Sequence, residues 1–342
     1  MGIIRILLLA DTHLGFDLPF RPRIQRRRRG PDFFANFRQA LMPALRAEVD
    51  AVVHGGDLLY RSQVPPQLVE MAFEPLRQVA DAGIPVYLVP GNHERSTIPH
   101  GHLAAHPHIY LFDHPRTFTL QTARGSLALA GFPFVRRDIR REFSGWLAQT
   151  RWQDAKADAC ILCIHQAVDG AAVGPGGYTF RRSPDVIRAA DIPCGFSAVF
   201  AGHIHRFQIL TRDLKARSMN APVFYPGATE RTSFAERNEK KGYLIVEFET
   251  QGSAAAQLQR WTFHPLPARP MILLELHAGG LSGSQLRAWI QSCLFEVPAD
   301  SVLKIRVHGK ISEEALSVIR APSLRALAPT TMNIEALPVA HL

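Results

Sequence analysis

The chain is poor in cysteine, short of acidic side chains, and without any apolar run long enough to cross a bilayer. Four cysteines in 342 residues are too few for a disulfide scaffold. Cys160 and Cys163 form a Cys-Xaa-Xaa-Cys pair inside an apolar run, where buried reduced thiols are expected rather than a redox or zinc pair. Without a stretch of roughly 18 apolar residues no spanning helix forms. Met1 opens directly into a first predicted strand, so the expectation is a cytoplasmic protein with no membrane attachment. Internal repeats and long low-complexity tracts are missing too, which excludes a repeat architecture. Thirty-nine basic against 30 acidic residues leave a net charge of +9 and a pI near 9.8. That imbalance favours polyanionic partners such as nucleic acid. At 46% hydrophobic the chain can bury a substantial core, and its length suits one large domain plus a smaller one.

What the chain does have is five short islands of metal-binding residue types, each following an apolar run that reads as a buried strand. They are Asp11-Thr12-His13 after Ile3 to Ala10, Asp57 after Ala51 to Gly56, Gly91-Asn92-His93-Glu94 after Pro85 to Pro90, His165 after Ala159 to Ile164, and Gly202-His203-Ile204-His205 after Ser197 to Ala201. Apolar runs bounded by Gly or Pro suit strands covered on both faces. Ligands collect beyond the carboxyl ends of such strands, so the islands are expected to share one rim. Seven candidate donors (Asp11, His13, Asp57, Asn92, His165, His203 and His205) exceed what one catalytic ion needs. Two ions roughly 3.5 to 4 Å apart require a bridging carboxylate, and Asp57, alone in its island, is the natural bridge. Oxygen and nitrogen donors without thiolate favour manganese, iron or zinc over calcium.

Helices are expected over Phe33 to Glu48 and Pro65 to Asp81, the latter ending at Gly83. From Thr117 shorter strands take over: Thr117 to Gln121, Ser126 to Phe132, Val223 to Tyr225, Tyr243 to Phe248 and Gln257 to Phe263. This pattern suits two sheets packed face to face with helices outside. After a Pro-rich linker at His264 to Pro270, strands at Met271 to His277, Ser301 to His308 and Met332 to Ala336 alternate with helices near Ser284 to Cys293 and Ser312 to Ile319, a compact β-α-β-α-β unit.

Asp11-Xaa-His13, Gly56-Asp57, Gly91-Asn92-His93-Glu94, His165 and Gly202-His203-Xaa-His205 resemble the calcineurin-like metallophosphoesterase superfamily. Within it, Asp11 to Gly15, Tyr225 to Arg231 and Lys241-Gly242-Tyr243 look like the SbcD-type repair nucleases and their Mre-type counterparts, over about residues 3 to 250. The resemblance implies an α/β fold: a two-sheet α/β/β/α metallophosphoesterase sandwich over residues 1–264 and a small C-terminal α+β capping domain over 271–337. It implies two divalent ions, manganese first with iron or zinc as alternatives, one held by Asp11, His13, Asp57 and His205, the other by Asp57, Asn92, His165 and His203. His93 then faces the phosphate without ligating metal and protonates the leaving oxygen, a role suited to an imidazole. Glu94 orients the His93 ring. Tyr60 departs from the family pattern, where several relatives carry His or Asp.

Arg21, Arg23 and the run Arg26-Arg27-Arg28-Arg29 lie between the first strand and first helix. A loop at this end of the sheet can grip phosphates flanking the scissile one, with a solvated charge run as the alternative. The function expected is metal-dependent hydrolysis of DNA phosphodiesters, as an exonuclease in DNA repair. A small-molecule phosphodiesterase or phosphatase of the same superfamily, or a non-catalytic scaffold, are the alternatives. His100, His102, His106 and His108 read as an ordinary loop. SbcD-type nucleases dock a coiled-coil ATPase through helices after the capping domain. Leu337 to Leu342 is too short for such a helix, so an SbcC-like ATPase is not expected to bind tightly, and a stand-alone enzyme, with a homodimer possible through helices of the first domain, is expected instead.

Overall fold

The computed structural model describes residues 2–94, 105–251 and 254–339. Two six-stranded sheets carry most of the chain. The first runs in the order β16-β15-β1-β2-β3-β4, with β1 (Gly2–Leu9), β2 (Ala51–His54), β3 (Val86–Leu88) and β4 (Ile109–Leu111) parallel and β15 (Gly242–Gln251) and β16 (Ala254–Pro265) added antiparallel. The second runs β13-β14-β12-β7-β6-β5, from β5 (Arg116–Thr122), β6 (Gly125–Gly131), β7 (Ala159–His165), β12 (Ala198–Gly202), β13 (Gln208–Arg212) and β14 (Ser218–Tyr225). Its centre, β14-β12-β7-β6, is parallel. Four two-residue strands, β8 (Ala167–Val168), β9 (Ala172–Val173), β10 (Tyr178–Thr179) and β11 (Val186–Ile187), decorate the segment between β7 and β12.

The period of two along each strand explains the layering. Ile4, Ile6 and Leu8 of β1 join Val53, Leu129, Ile161, Phe200, Phe224 and Phe248 in one core shared by both sheets, while Leu7 and Leu9 are buried on the opposite face. Each such aliphatic or aromatic side chain contributes roughly 1.5–3 kcal/mol by leaving water. Helices α1 (Gly30–Leu45) and α2 (Pro66–Asp81) contact β1 and β3. A proline in the first turn of α2 suits its start, because the missing N–H has no partner there anyway. On the far sheet a second core gathers Phe132, Leu162, Val199 and Val223 with Ile139, Phe143 and Leu147 of α3 (Ile139–Gln149). This α/β/β/α order is the one the sequence pattern implies. Helix α3 falls where only strands were expected. Its apolar residues recur every fourth position between arginines, and the arginine pairs Arg136-Arg137 and Arg140-Arg141 masked that spacing.

The other expected helices and strands lie within a few residues of those observed, while β4, β13, the short strands after β7 and a further helix at Ala321–Leu327 were not expected. All four cysteines are free, and burial pushes the Cys160 thiol up to about 12.

The chain divides into two compact units: residues 2–16, 30–231 and 239–267 form one, and 17–29, 232–238 and 268–339 the other. The second contains an all-parallel sheet of β17 (Met271–His277), β18 (Val302–His308) and β19 (Asn333–Pro338), with α4 (Gly283–Glu296), α5 (Glu313–Ile319) and α6 (Ala321–Leu327). Ser282 and Gln285 close a capping box at the start of α4. Leu286, Ile290, Ile305, Ile319 and Leu324 form its core, with Leu316 and Leu327 packed against them. The arginine segment 17–29 belongs to this unit, where the Asn333 amide donates to the Arg27 carbonyl at 3.0 Å.

Candidate metal centre

Every expected donor leaves the carboxyl end of a strand: β1, β2 and β3 in the first sheet, β7 and β12 in the second. The ends are tied across the sandwich. The His203 amide donates to both Asp11 carboxylate oxygens at 3.0 and 3.1 Å, and His165 Nδ1 lies 2.8 Å from the Gly55 carbonyl. Asp11, His13, Asp57 and His203 all hold left-handed backbone, with φ of 52, 44, 53 and 86°. Such conformations cost on the order of 1–3 kcal/mol each and persist where the surroundings over-determine them, commonly at functional sites. Gly91 is required by space, since a side chain there would run into the backbone and carboxylate of Asp57.

The seven donors form one cluster. His13 Nε2 is 2.9 Å from His205 Nε2. Asn92 Oδ1 is 3.0 Å from His165 Nε2 and 2.9 Å from His203 Nδ1. Asp57 Oδ2 is 3.4 Å from His165 Nε2, and Asp57 Oδ1 accepts the His93 amide at 2.9 Å. Three sets, Asp11-His13-His205, His13-Asp57-His93 and Asp11-Asp57-His165, each bring their ligand atoms within 4.8 Å of one another.

Burial and mutual charge set the protonation states. Burial would raise the Asp57 carboxyl, yet the adjacent His165 and their hydrogen bond hold it far below the usual carboxylate range. Burial would lower His165, but Asp57 beside it holds it up at about 9. Burial pushes Asp11 up, pushes His13 well below the ordinary imidazole value, and with neighbouring His165 brings His203 down to about 3.

The residues fit a cation. Asp11 and Asp57 are 0% and 2% exposed, and among the described residues no Lys or Arg pairs with either. Buried carboxylates need a positive partner, and the two share the single raised imidazole of His165 beside Asp57. His13 Nδ1 is likewise buried without a hydrogen bond. Two carboxylates, an amide oxygen and imidazoles are the donor set of a divalent transition metal.

His93 sits beside this cluster, 31% exposed at its side chain, with Nε2 3.8 Å from Asp57 Oδ2. Its Nδ1 is 2.5 Å from the Tyr60 carbonyl. That carbonyl orients the ring, a task the sequence reading gave to Glu94. Glu94 instead accepts the backbone amides of Asp57, Leu59 and Gly91 at 3.1, 2.8 and 2.8 Å. Adjacent side chains on this tight turn point to different neighbours, so Glu94 braces the loops. Burial and the nearby Asp57 push its carboxyl up to about 7. The Tyr60 ring lies edge-on to His13 at 6.2 Å with the Arg61 guanidinium over it.

Two supporting residues were not recognised as such from sequence. His54 contacts Thr12 and the Gly56 amide, and the fully buried Lys241 donates to the His205 carbonyl at 2.7 Å and pairs with Glu239 at 2.9 Å. His54 was hidden inside an apolar run. Lys241 stood in a family motif without an assigned role.

The arginine segment is not six equivalent exposed cations. Asp17 accepts the Arg28 guanidinium at 3.0 Å and the Arg29 amide at 2.9 Å, and Arg26 approaches it at 3.6 Å. Arg29 is buried and Arg27 half-buried, while Arg21, Arg23 and Arg26 are exposed. An acidic residue upstream of the run folds its second half back, a local contact that charge counting passes over. His106 pairs with Asp81 at 3.0 Å, and His100 and His102 lie outside the described residues.

The chain is similar to several known proteins. The chain is 28% identical over 320 residues to the DNA double-strand break repair protein Mre11 of Haloferax volcanii, covering 90% of this chain and 62% of the relative. The Halobacterium salinarum protein of the same name is 29% identical over 89% of this chain and 70% of its own length, and the Saccharolobus solfataricus one 25% over 62% and 52%. The chain thus spans about half to two-thirds of these relatives. A solved dimetal phosphatase from Danio rerio is more distant, with TM-score 0.43 and 11% identity over 72% of this chain and 93% of its own. The calcineurin-like phosphoesterase profile matches residues 4–207, more than half of the 342 and every one of the five strand-end islands, and the chain belongs to that family.

Proposed function

We propose that the chain is a metal-dependent phosphodiesterase that cleaves DNA in repair. The observation that carries the reading is the meeting of Asp11, His13, Asp57, Asn92, His165, His203 and His205 at one rim, with His93 beside them. Asp11, His13, Asp57 and His205 would hold one divalent ion, and Asp57, Asn92, His165 and His203 a second. Such ions, when bound, supply a hydroxide nucleophile near neutral pH and neutralise charge on the phosphate. The depressed Asp57 carboxyl is ionised throughout the working range, as a bridging ligand must be. His93 keeps Nδ1 on the Tyr60 carbonyl, an obligate acceptor, so Nε2 is the atom that gives the proton to the leaving sugar oxygen. His203 and His13, held neutral by burial, present lone pairs.

DNA as substrate is supported by the net charge of +9, by exposed Arg21, Arg23 and Arg26 in the segment before α1, and by relatives named for double-strand break repair. Exonucleolytic attack is the mode proposed. Incubation with Mn²⁺ and end-labelled single- and double-stranded DNA, beside a chromogenic phosphodiester and nucleotides, tests it. Release of mononucleotides from DNA ends supports the proposal. Turnover of small esters with intact DNA makes the chain a small-molecule phosphodiesterase, and no turnover with no bound metal makes it a scaffold.

A further inference from the structure

We infer that His54 is a positioning residue that sets the separation between the Asp11–His13 turn and the Asp57 loop, acting through the hydroxyl of Thr12. His54 is the last residue of β2 and is 1% exposed, with the Phe37 ring edge-on to it at 6.3 Å. The Gly56 amide, which can only donate, lies 3.2 Å from His54 Nδ1. Nδ1 is therefore the acceptor, and the ring hydrogen sits on Nε2. Nε2 is 3.1 Å from Thr12 Oγ1, and Thr12 Oγ1 donates to the Leu58 carbonyl at 3.0 Å. Every donor direction in this chain follows: Gly56 to His54, His54 to Thr12, Thr12 to Leu58. The link leaves the second loop before Asp57, crosses to the first loop between Asp11 and His13, and returns to the second loop just after Asp57.

Backbone hydrogen bonds also join these loops, from Asp11 to the Gly56 carbonyl at 2.9 Å and from His13 to the Asp57 carbonyl at 3.0 Å. They leave Asp11, His13 and Asp57 in left-handed backbone, and strained residues keep such conformations only when further contacts hold them. The His54 link is a buried side-chain contact between the two strained segments. Partners that orient ligands from behind typically tune metal affinity 10- to 100-fold.

The inference rests on the metal reading above, and Mn²⁺ binding to the metal-free protein separates the two. His54→Phe keeps the ring volume and removes both hydrogen bonds, and its Mn²⁺ dissociation constant is expected to rise about 10- to 100-fold. His54→Gln, whose amide can reach Thr12, is expected to recover most of that loss. Thr12→Val cuts the same link from the other side and is expected to match His54→Phe. Thermal unfolding of each metal-free variant reports folding, and a merely structural role would lower that midpoint while leaving the affinity of the folded protein unchanged. Wild-type affinity in His54→Phe or in Thr12→Val overturns the inference, as does failure of Gln to recover binding. If His54→Phe does not fold, Thr12→Val decides. A wild-type protein that binds no Mn²⁺ removes the metal reading and this inference together.

Discussion

The Glu94 carboxylate accepts the backbone N–H of Asp57 at 3.1 Å, so a buried acid of one strand end holds the residue at the centre of another. Glu94 also takes the Leu59 and Gly91 amides, and its carboxyl is raised to about 7 by burial and by Asp57. An acid with a folded pKa above its unfolded one binds more protons folded than unfolded between those values, so stability falls as pH rises through the window from about 4.5 to 7. In metal-free protein, replacing Glu94 by Gln is expected to flatten this part of the profile. Melting midpoints of the two proteins from pH 5 to 8 check it, and parallel profiles would reject the assignment.

His93→Ala is expected to lower hydrolysis by about 10²- to 10⁴-fold, the usual range for a lost general acid, while metal content stays at the wild-type level. Asp57→Ala is expected to lose metal and activity together. Elemental analysis beside turnover checks both, and metal missing from the His93 variant would make His93 a ligand.

In the arginine segment, Arg21→Ala, Arg23→Ala and Arg26→Ala, at exposed positions, are each expected to reduce the log-log salt dependence of DNA binding by roughly 0.7 to 0.9 if they contact phosphate. Arg28→Ala removes the clamp on Asp17 and is expected to loosen the segment. Turnover of a small phosphodiester should stay within about two-fold in all four. Binding titrations from 50 to 200 mM salt, roughly, give the slopes, and unchanged slopes would return the segment to a solvated charge run.

Removing divalent metal leaves the buried Asp11 and Asp57 carboxyls with the His165 imidazolium beside Asp57 as their counter-charge, less positive charge than divalent ions supply. Chelation is therefore expected to lower the melting midpoint, and Mn²⁺ at 100 times its dissociation constant to restore about 2.7 kcal/mol per site. Calorimetry with and without chelator measures this; equal midpoints would mean that no structural metal is bound.

Local chemistry made the strands and the donor types legible in the sequence. Apolar runs such as Ile3 to Ala10 and Ser197 to Ala201 are buried strands in any context that covers both faces, and five islands of Asp, Asn and His following five such runs fall where ligands collect in open sheets. A different kind of information decides that the Asp11 carboxylate meets the amide of His203, 192 positions away, that His165 reaches across to Gly55, and that Glu94 braces Asp57 while Tyr60 orients His93. These contacts depend on the strand order of two sheets and on backbone at φ of 44 to 86°. Neither leaves a periodic trace, because the residues involved share no local segment. His54 shows the difference most plainly. In sequence it is one polar residue in the apolar run Ala51 to Gly56, and only the pairing of β2 with β1 brings its ring to Thr12, since a side-chain hydrogen bond between neighbouring strands is fixed by register rather than by composition.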